Sequence, residues 1–191
     1  MKFYYSLFVL LVIGAVGLLF VFRAGWYPLV LVNSNLVWAR EVDKNYQLAF
    51  RYYEQALITY KATDSQQRQK IAGNDLRRAI VSEIIDRLLV KNSLKVLTKG
   101  ERDNLVAQKI NKYLRDPRLE AAALTLFNLN PNDFREVVLV PQAEREILKG
   151  QLATEGRDLT AWLAEQKKQA KIYFFTNEFE WNDGTVVKQP R

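Results

Sequence analysis

The sequence contains no cysteine and no histidine. Without cysteine the chain can form no disulfide and carries no thiol nucleophile. Without histidine it lacks the usual base of a catalytic triad, and the two absences together exclude nearly all zinc sites. Carboxylates could still act as acid and base, but Glu144/Glu146 and Glu178/Glu180 are spaced two residues apart, which is typical of solvated surface charge. We therefore expect no catalytic residues, no cofactor, no metal site and no enzyme activity.

Basic residues are in excess but are not concentrated. The chain has 28 Lys and Arg against 21 Asp and Glu, a net charge of +7. A nucleic-acid-binding surface would require a basic stripe with interleaved aromatics or a known reading motif, and the sequence has neither. We therefore expect no nucleic-acid partner. Attraction to anionic lipid head groups, or solubility alone, explains the charge more simply.

One long apolar run lies near the amino terminus. Residues 3–22 carry no charge and, as a helix, would span about 30 Å, the thickness of the hydrocarbon core of a bilayer. A cleaved signal peptide is the alternative, but no small-x-small cleavage site follows the run. Lys2 and Arg23 flank it nearly symmetrically, so the orientation depends on the very short leader. The pattern predicts a cytoplasmic stub and transmembrane signal anchor over 1–24, with 25–191 on the extracytoplasmic side of a single-pass membrane protein.

The rest of the chain has the pattern of a mainly α-helical domain with short strands at both ends. Helical periodicity predicts helices over about 39–61, 75–92, 98–114, 119–127, 131–152 and 159–170. β-branched and aromatic runs predict strands at 28–32 and 171–175 and a hairpin at 179–187, so that the C-terminal β-hairpin region covers about 171–188. Because isolated strands are unstable, we expect this tail to pair with or pack near the first strand.

Short local signals predict how these elements begin and turn. Thr98–Glu101 has the form of a capping box, and Asn130-Pro131 that of an N-cap followed by proline at the first helical position. Pro141 should bend the helix that contains it, because proline has no N–H to donate. Asn182-Asp183-Gly184 is compatible with a type I′ hairpin turn.

An ordered set of segments resembles a known family. The stretch 30–43, Val-Leu-Val-Asn-Ser-Asn-Leu-Val-Trp-Ala-Arg-Glu-Val-Asp, combines a short strand, a turn and a helix that opens on an acidic and an apolar residue. Paired aliphatics follow at 78–89, a polar turn at 98–101, and a phenylalanine with an arginine at 132–135. This set resembles the SurA-like module of SurA/PrsA/PpiD-type extracytoplasmic chaperones, over roughly residues 29–152.

Three departures from the family pattern limit what the resemblance implies. Ser34 stands in place of a glycine, so the turn must not require a glycine-only conformation. Trp38 stands where a Ser, Thr or Asp cap is usual, which leaves the first helical amides without that acceptor. No parvulin domain is visible, and histidine, which its active site contains, is absent. The resemblance therefore implies the chaperone module without prolyl isomerase activity.

The resemblance implies a holdase that binds unfolded or translocating polypeptides beside the membrane. Such a protein needs an accessible apolar surface, and tyrosine suits it because the ring gives area while the hydroxyl tolerates water. The residues that we expect to contact a client are Tyr46, Phe50, Tyr53 and Tyr60 at helical spacing, together with Trp162. An aromatic stripe is more often buried core, so a contiguous exposed patch is the feature that would favour this role. The alternative is a non-catalytic scaffold or accessory subunit of a membrane-associated complex.

Overall fold

The computed structural model describes residues 23–59, 74–114 and 118–189, together with Val12. The strands are β1 (Pro28–Val32), β2 (Asn35–Trp38), β3 (Ile172–Phe174), β4 (Phe179–Asn182) and β5 (Thr185–Lys188). The helices are α1 (Ala39–Thr59), α2 (Asn74–Leu97), α3 (Arg102–Tyr113), α4 (Arg118–Ala122), α5 (Pro131–Phe134), α6 (Val140–Thr154) and α7 (Leu159–Gln169). Two one-turn π-helical stretches interrupt this order, the first π segment at Ala123–Phe127 and the second at Arg135–Leu139. The helical body between short terminal strands agrees with the sequence prediction.

The predicted membrane-spanning helix has no counterpart among the described residues. None of the helices in the described ranges is both long enough and apolar enough to cross a bilayer. The run 3–22, on which the prediction rested, lies outside the described residues apart from Val12. The predicted N-terminal transmembrane helix and the predicted single-pass membrane localisation are corrected accordingly.

The two ends of the described chain meet in one sheet. The strand order is β2-β1-β3, and both pairings are antiparallel. Asn33, in the turn between β1 and β2, donates its N–H to the Lys171 carbonyl at 2.7 Å and accepts the Lys171 N–H on its Oδ1 at 3.0 Å. The predicted pairing of the tail with the first strand is confirmed. The positive φ of this turn, 54°, falls on Asn33, which explains why serine is accepted at Ser34.

The C-terminal hairpin also follows the sequence prediction. β4 pairs antiparallel with β5, and the turn places Asp183 at φ 42° and Gly184 at φ 84°. Two successive positive φ values are what a type I′ turn requires, and Asp-Gly supplies them with little strain. Phe179 and Val186 of this hairpin are buried in the core. The hairpin is thereby held against the helical body, because an isolated two-stranded ribbon is marginally stable.

Helix α1 begins without a side-chain cap, yet its first amides are paired. The N–H of Ala39 donates to the Tyr27 carbonyl, and the N–H of Arg40 donates to the Gly25 carbonyl, each at 3.0 Å. The segment before β1 therefore supplies the acceptors that Trp38 cannot provide. Gly25 has φ +69°, and a Cβ on it would lie 3.0 Å from the Arg40 backbone nitrogen, so this approach requires glycine.

Of the two predicted helix caps, one is correct. Asn130 caps α5, with its Oδ1 accepting the Asp133 N–H at 2.9 Å. The capping box at Thr98–Glu101 is wrong, because α2 extends to Leu97 and the Thr98 hydroxyl donates to the Leu94 carbonyl at 2.7 Å. Glu101 occupies the N-cap position of α3, but its side chain accepts a hydrogen bond from the Asn104 Nδ2 and from no backbone N–H of the helix. Thr98 thus closes the preceding helix instead of opening the next one.

The buried side chains form two clusters. The first cluster lies between the sheet, α2, the end of α6, α7 and the C-terminal hairpin, and it includes Ile85, Leu94, Leu148, Trp162 and Phe179. The second cluster lies between α3, the two π segments, α5 and the start of α6, and it includes Ile110, Leu129, Phe134, Leu139 and Ala143. Ile147 packs against both clusters. Each large side chain buried in this way contributes about 1.5–3 kcal/mol relative to exposure.

Candidate functional site

An open cleft of about 490 Å³ lies where the two clusters adjoin. One wall consists of α1 and α2, and the other of the two π segments and the start of α6. Its apolar lining comes mainly from Leu48, Tyr52, Tyr53, Leu76, Ile80, Val90, Phe127, Val137, Val138 and Pro141. The volume falls in the range of about 300–1,000 Å³ that is usual for sites that bind small ligands or side chains.

Aromatic rings extend from the second cluster to the rim of the cleft. Phe134 is buried, and its ring centroid lies 5.5 Å from that of Phe127. The Phe127 ring stacks on Tyr52 at 5.2 Å, and Tyr52 meets Tyr53 edge-on at 6.1 Å. Aromatic contacts of this kind contribute about 0.5–1.5 kcal/mol beyond area burial. The rings are therefore held in position, although Tyr52 and Tyr53 each remain 41 % exposed.

Polar side chains join the two helices of the first wall. Arg87 donates to Glu83 through Nη2 at 2.6 Å and to the Oδ1 of Asn45 through Nη1 at 3.1 Å. Glu83 and Arg87 are one turn apart on α2, while Asn45 is on α1, so the arrangement links the two helices. An exposed ion pair adds little stability by itself. The effect of these contacts is to fix the distance between α1 and α2 in this wall of the cleft.

A buried ion pair joins α3 to α6 at the same cleft. Glu144 lines the cleft and is only 3 % exposed. Its Oε1 accepts a hydrogen bond from the Nε of Arg102 at 2.7 Å, and a second from the Arg102 Nη2. A buried carboxylate without such a partner would be costly, because desolvation would not be offset. Arg102 therefore allows a charged residue to occupy this position.

Both π segments border the cleft. Phe127 ends the first π segment, and Val137 and Val138 lie within the second. In the second π segment the N–H of Val140 donates to the Arg135 carbonyl, five residues earlier. Pro141 follows and has no N–H, so the hydrogen-bond ladder is interrupted where the helix passes along the cleft. π segments of a single turn frequently mark functional sites.

Comparison with known proteins adds no assignment. No family model, curated protein or solved structure matches the chain. Within the described ranges, no group of three or more acidic side chains is placed to hold a metal ion. The function must therefore be argued from the cleft itself, and the resemblance to the SurA-like module stays a prediction.

Of the five residues predicted to contact a client, the structure brings one to the cleft. Tyr53 lines it. Tyr46 and Phe50 are half-buried and stack on one another at 6.3 Å, but they do not line the cleft. Trp162 is 6 % exposed and belongs to the first cluster, because α7 turns Leu159, Trp162 and Leu163 inward. Tyr60 lies outside the described residues.

The cleft also contains residues that the sequence prediction missed. Leu48 and Tyr52 lie on the side of α1 that faces the cleft, and with Asn45 and Ala49 they recur at spacings of three and four. Helical periodicity could therefore have indicated this second face of α1. Phe127, in contrast, reaches the cleft through a π segment, which no pattern in the sequence indicates.

Proposed function

We propose that the protein binds unfolded or extended polypeptide segments reversibly in the cleft, in the manner of a holdase. The observation that carries the proposal is the open apolar cleft with two supported but half-exposed tyrosines, Tyr52 and Tyr53, at its rim. Binding needs neither a covalent step nor a cofactor. The resemblance to the SurA-like chaperone module, without its isomerase domain, agrees with this role.

The chemistry of the rim suits a peptide. Tyrosine rings offer broad apolar contact area and tolerate water at the hydroxyl, so different side chains can be accepted. Gln142 uses its Nε2 to bond Glu146 at 3.2 Å, and its Oε1 makes no hydrogen bond within the described residues. That oxygen is thus available to accept a backbone N–H from an extended chain. Apolar contact with a few adaptable polar groups is what recognition of varied unfolded segments requires.

The test measures binding of two unrelated unfolded proteins to the full chain by fluorescence anisotropy. Suitable probes are labelled α-lactalbumin and labelled ribonuclease, both reduced and carboxymethylated. Tyr53→Ala should weaken both interactions about five- to tenfold, since one buried ring contributes about 1–1.4 kcal/mol. Residues 3–22 are present in every variant, so this apolar run contributes equally to each comparison.

The matched control is Tyr173→Ala. Tyr173 is 60 % exposed on β3 and does not line the cleft, so its removal should leave both affinities within about twofold. Equal losses in the two variants, or a loss with Tyr173→Ala alone, would refute binding in the cleft. If the full chain binds neither unfolded protein, the holdase proposal fails and the scaffold or accessory-subunit role replaces it, to be checked by isolating one stoichiometric folded partner.

A further inference from the structure

A second depression adjoins the cleft along α6. It has a volume of about 300 Å³ and is lined in part by Lys149, Leu159 and Thr160. Gln142 and Arg145 line both the cleft and this second depression. The two are therefore neighbouring parts of one surface, with Arg145 at their junction.

Two cations at this junction have no direct partner in the part of the chain that the structure describes. Arg145 and Lys149 are both exposed and are one turn apart on α6. Neither makes a hydrogen bond or an ion pair within the described residues. Arg145 acts on the half-buried Asp86 only through its electrostatic field, and Lys149 acts on Asp158 in the same way. Their positive charge is thus available to a ligand.

The carboxylates of the same surface are already engaged. Glu144 is paired with Arg102, and Glu146 accepts hydrogen bonds from Tyr113 and Gln142 and lies 3.0 Å from the Nζ of Lys109. Asp158 accepts the N–H groups of Thr160 and Ala161 at the start of α7. Within the described residues, these contacts leave neither of the two α6 cations in a direct ion pair. They also leave the first amides of α7 capped, so the helix end itself is not the anion site.

From this arrangement we infer that the cleft prefers a particular class of segment, an apolar stretch followed closely by an acidic side chain. The inference rests on the proposed function. Apolar side chains occupy the cleft beside Tyr53, and the carboxylate lies against Arg145 and Lys149. Between Pro141 and Arg145 the helix rises about 6 Å, and to Lys149 about 12 Å, distances that two to four residues of extended chain cover.

The test compares two labelled peptides that are identical except at one position. Each carries a Leu-Phe core and an amidated carboxyl end, and the third residue after the core is Glu in one and Gln in the other. The full chain should bind the Glu peptide about three- to fivefold more tightly at low salt. The preference should fall as the salt concentration rises, because the interacting charges are exposed.

Arg145→Gln should reduce this preference, taken as the ratio of the two affinities in the same variant, to about 1.5-fold or less. Arg78→Gln is the matched control, since it removes one exposed positive charge that lines neither depression. The preference should persist in that variant. If both peptides bind equally, or if Arg145→Gln keeps the preference, the inference is overturned while the proposed function stands. If neither the peptides nor the unfolded proteins bind, both fail.

Discussion

Replacing Gly25 by alanine tests the junction that holds the first strand against α1. Gly25 has φ +69°, and an added Cβ would lie 3.0 Å from the backbone nitrogen, 3.2 Å from the Cα and 3.3 Å from the Cβ of Arg40. Gly156 has the same φ, +69°, with no atom within 4 Å of an added Cβ. The two glycines therefore separate the cost of the backbone conformation from the cost of the close approach.

The conformational part should be about 1 kcal/mol at either position, the usual cost of a left-handed residue with a side chain. At Gly25 the neighbouring atoms are mostly backbone and cannot rotate away, which adds about 1–3 kcal/mol for overpacking. The Arg40 N–H also donates to the Gly25 carbonyl at 3.0 Å. Weakening this bond adds about 1 kcal/mol. Gly25→Ala should thus destabilise the fold by about 3–5 kcal/mol, against about 1 kcal/mol for Gly156→Ala.

Urea unfolding of the full chain, followed by circular dichroism and extrapolated linearly to water, measures both free energies of unfolding. Gly25→Asn provides a third variant, because asparagine tolerates positive φ but still carries a Cβ. Gly25→Asn should recover only the conformational part, about 1 kcal/mol, of the free energy of unfolding that Gly25→Ala loses. Equal destabilisation by Gly25→Ala and Gly156→Ala would refute the assignment of a steric role to Arg40.

Two further predictions concern the ionisable groups of α3 and α6. Arg102→Met should lower the free energy of unfolding by about 3–5 kcal/mol, because it leaves the buried Glu144 unpaired. Arg157 makes only exposed ion pairs, so Arg157→Met should change the free energy of unfolding by less than about 0.5 kcal/mol. Similar losses for the two variants in urea unfolding would contradict the structural role of the Arg102–Glu144 pair. Burial, reinforced by the Glu146 carboxylate, raises the pKa of Tyr113 to about 12. The stability that Tyr113 contributes is therefore complete below about pH 10 and is lost as the pH rises towards 12. Tyr113→Phe should remove the part of the stability loss at high pH that comes from ionising Tyr113. The urea midpoint of this variant should therefore fall less between about pH 9 and 12 than that of the unchanged protein. An equal fall in both proteins would contradict the raised pKa of Tyr113.

Local chemistry made the strands and turns predictable. Asp183-Gly184 can adopt two positive φ values with little strain, so the C-terminal hairpin follows from these two residues. Asn130 before a proline gives an N-cap for the same kind of reason. The capping box failed because Thr98 had a competing local partner, the Leu94 carbonyl, one turn earlier in α2. A threonine hydroxyl can close one helix as well as open the next, and the short-range pattern is the same in both cases.

The cleft could be predicted only in part, because its residues come from segments far apart in the chain. Periodicity identifies an aromatic face on α1 that contains Tyr46, Phe50 and Tyr53, yet of these three only Tyr53 lines the cleft. Tyr52, which also lines it, lies about 100° away from Tyr53 around the helix. Trp162 is also aromatic, but α7 turns its side chain into the first cluster, where it is buried. Which apolar side chains stay accessible depends on how the two clusters adjoin, and that is a tertiary property.

The proposed binding role accounts for the shape of the cleft better than imperfect packing does. Single exposed apolar residues are common on protein surfaces and require no explanation. Here, however, Tyr52 and Tyr53 line the same cleft as Leu76 and Val138, and Phe127, which contacts the buried Phe134, stacks on Tyr52 and supports it. Closing this surface would bury apolar area worth about 25 cal/mol per Å². Among the described residues the rings are supported and the surface is still left open, so the fold forgoes that stability. This agrees with the proposed role, because a surface that a ligand covers is typically left open in this way.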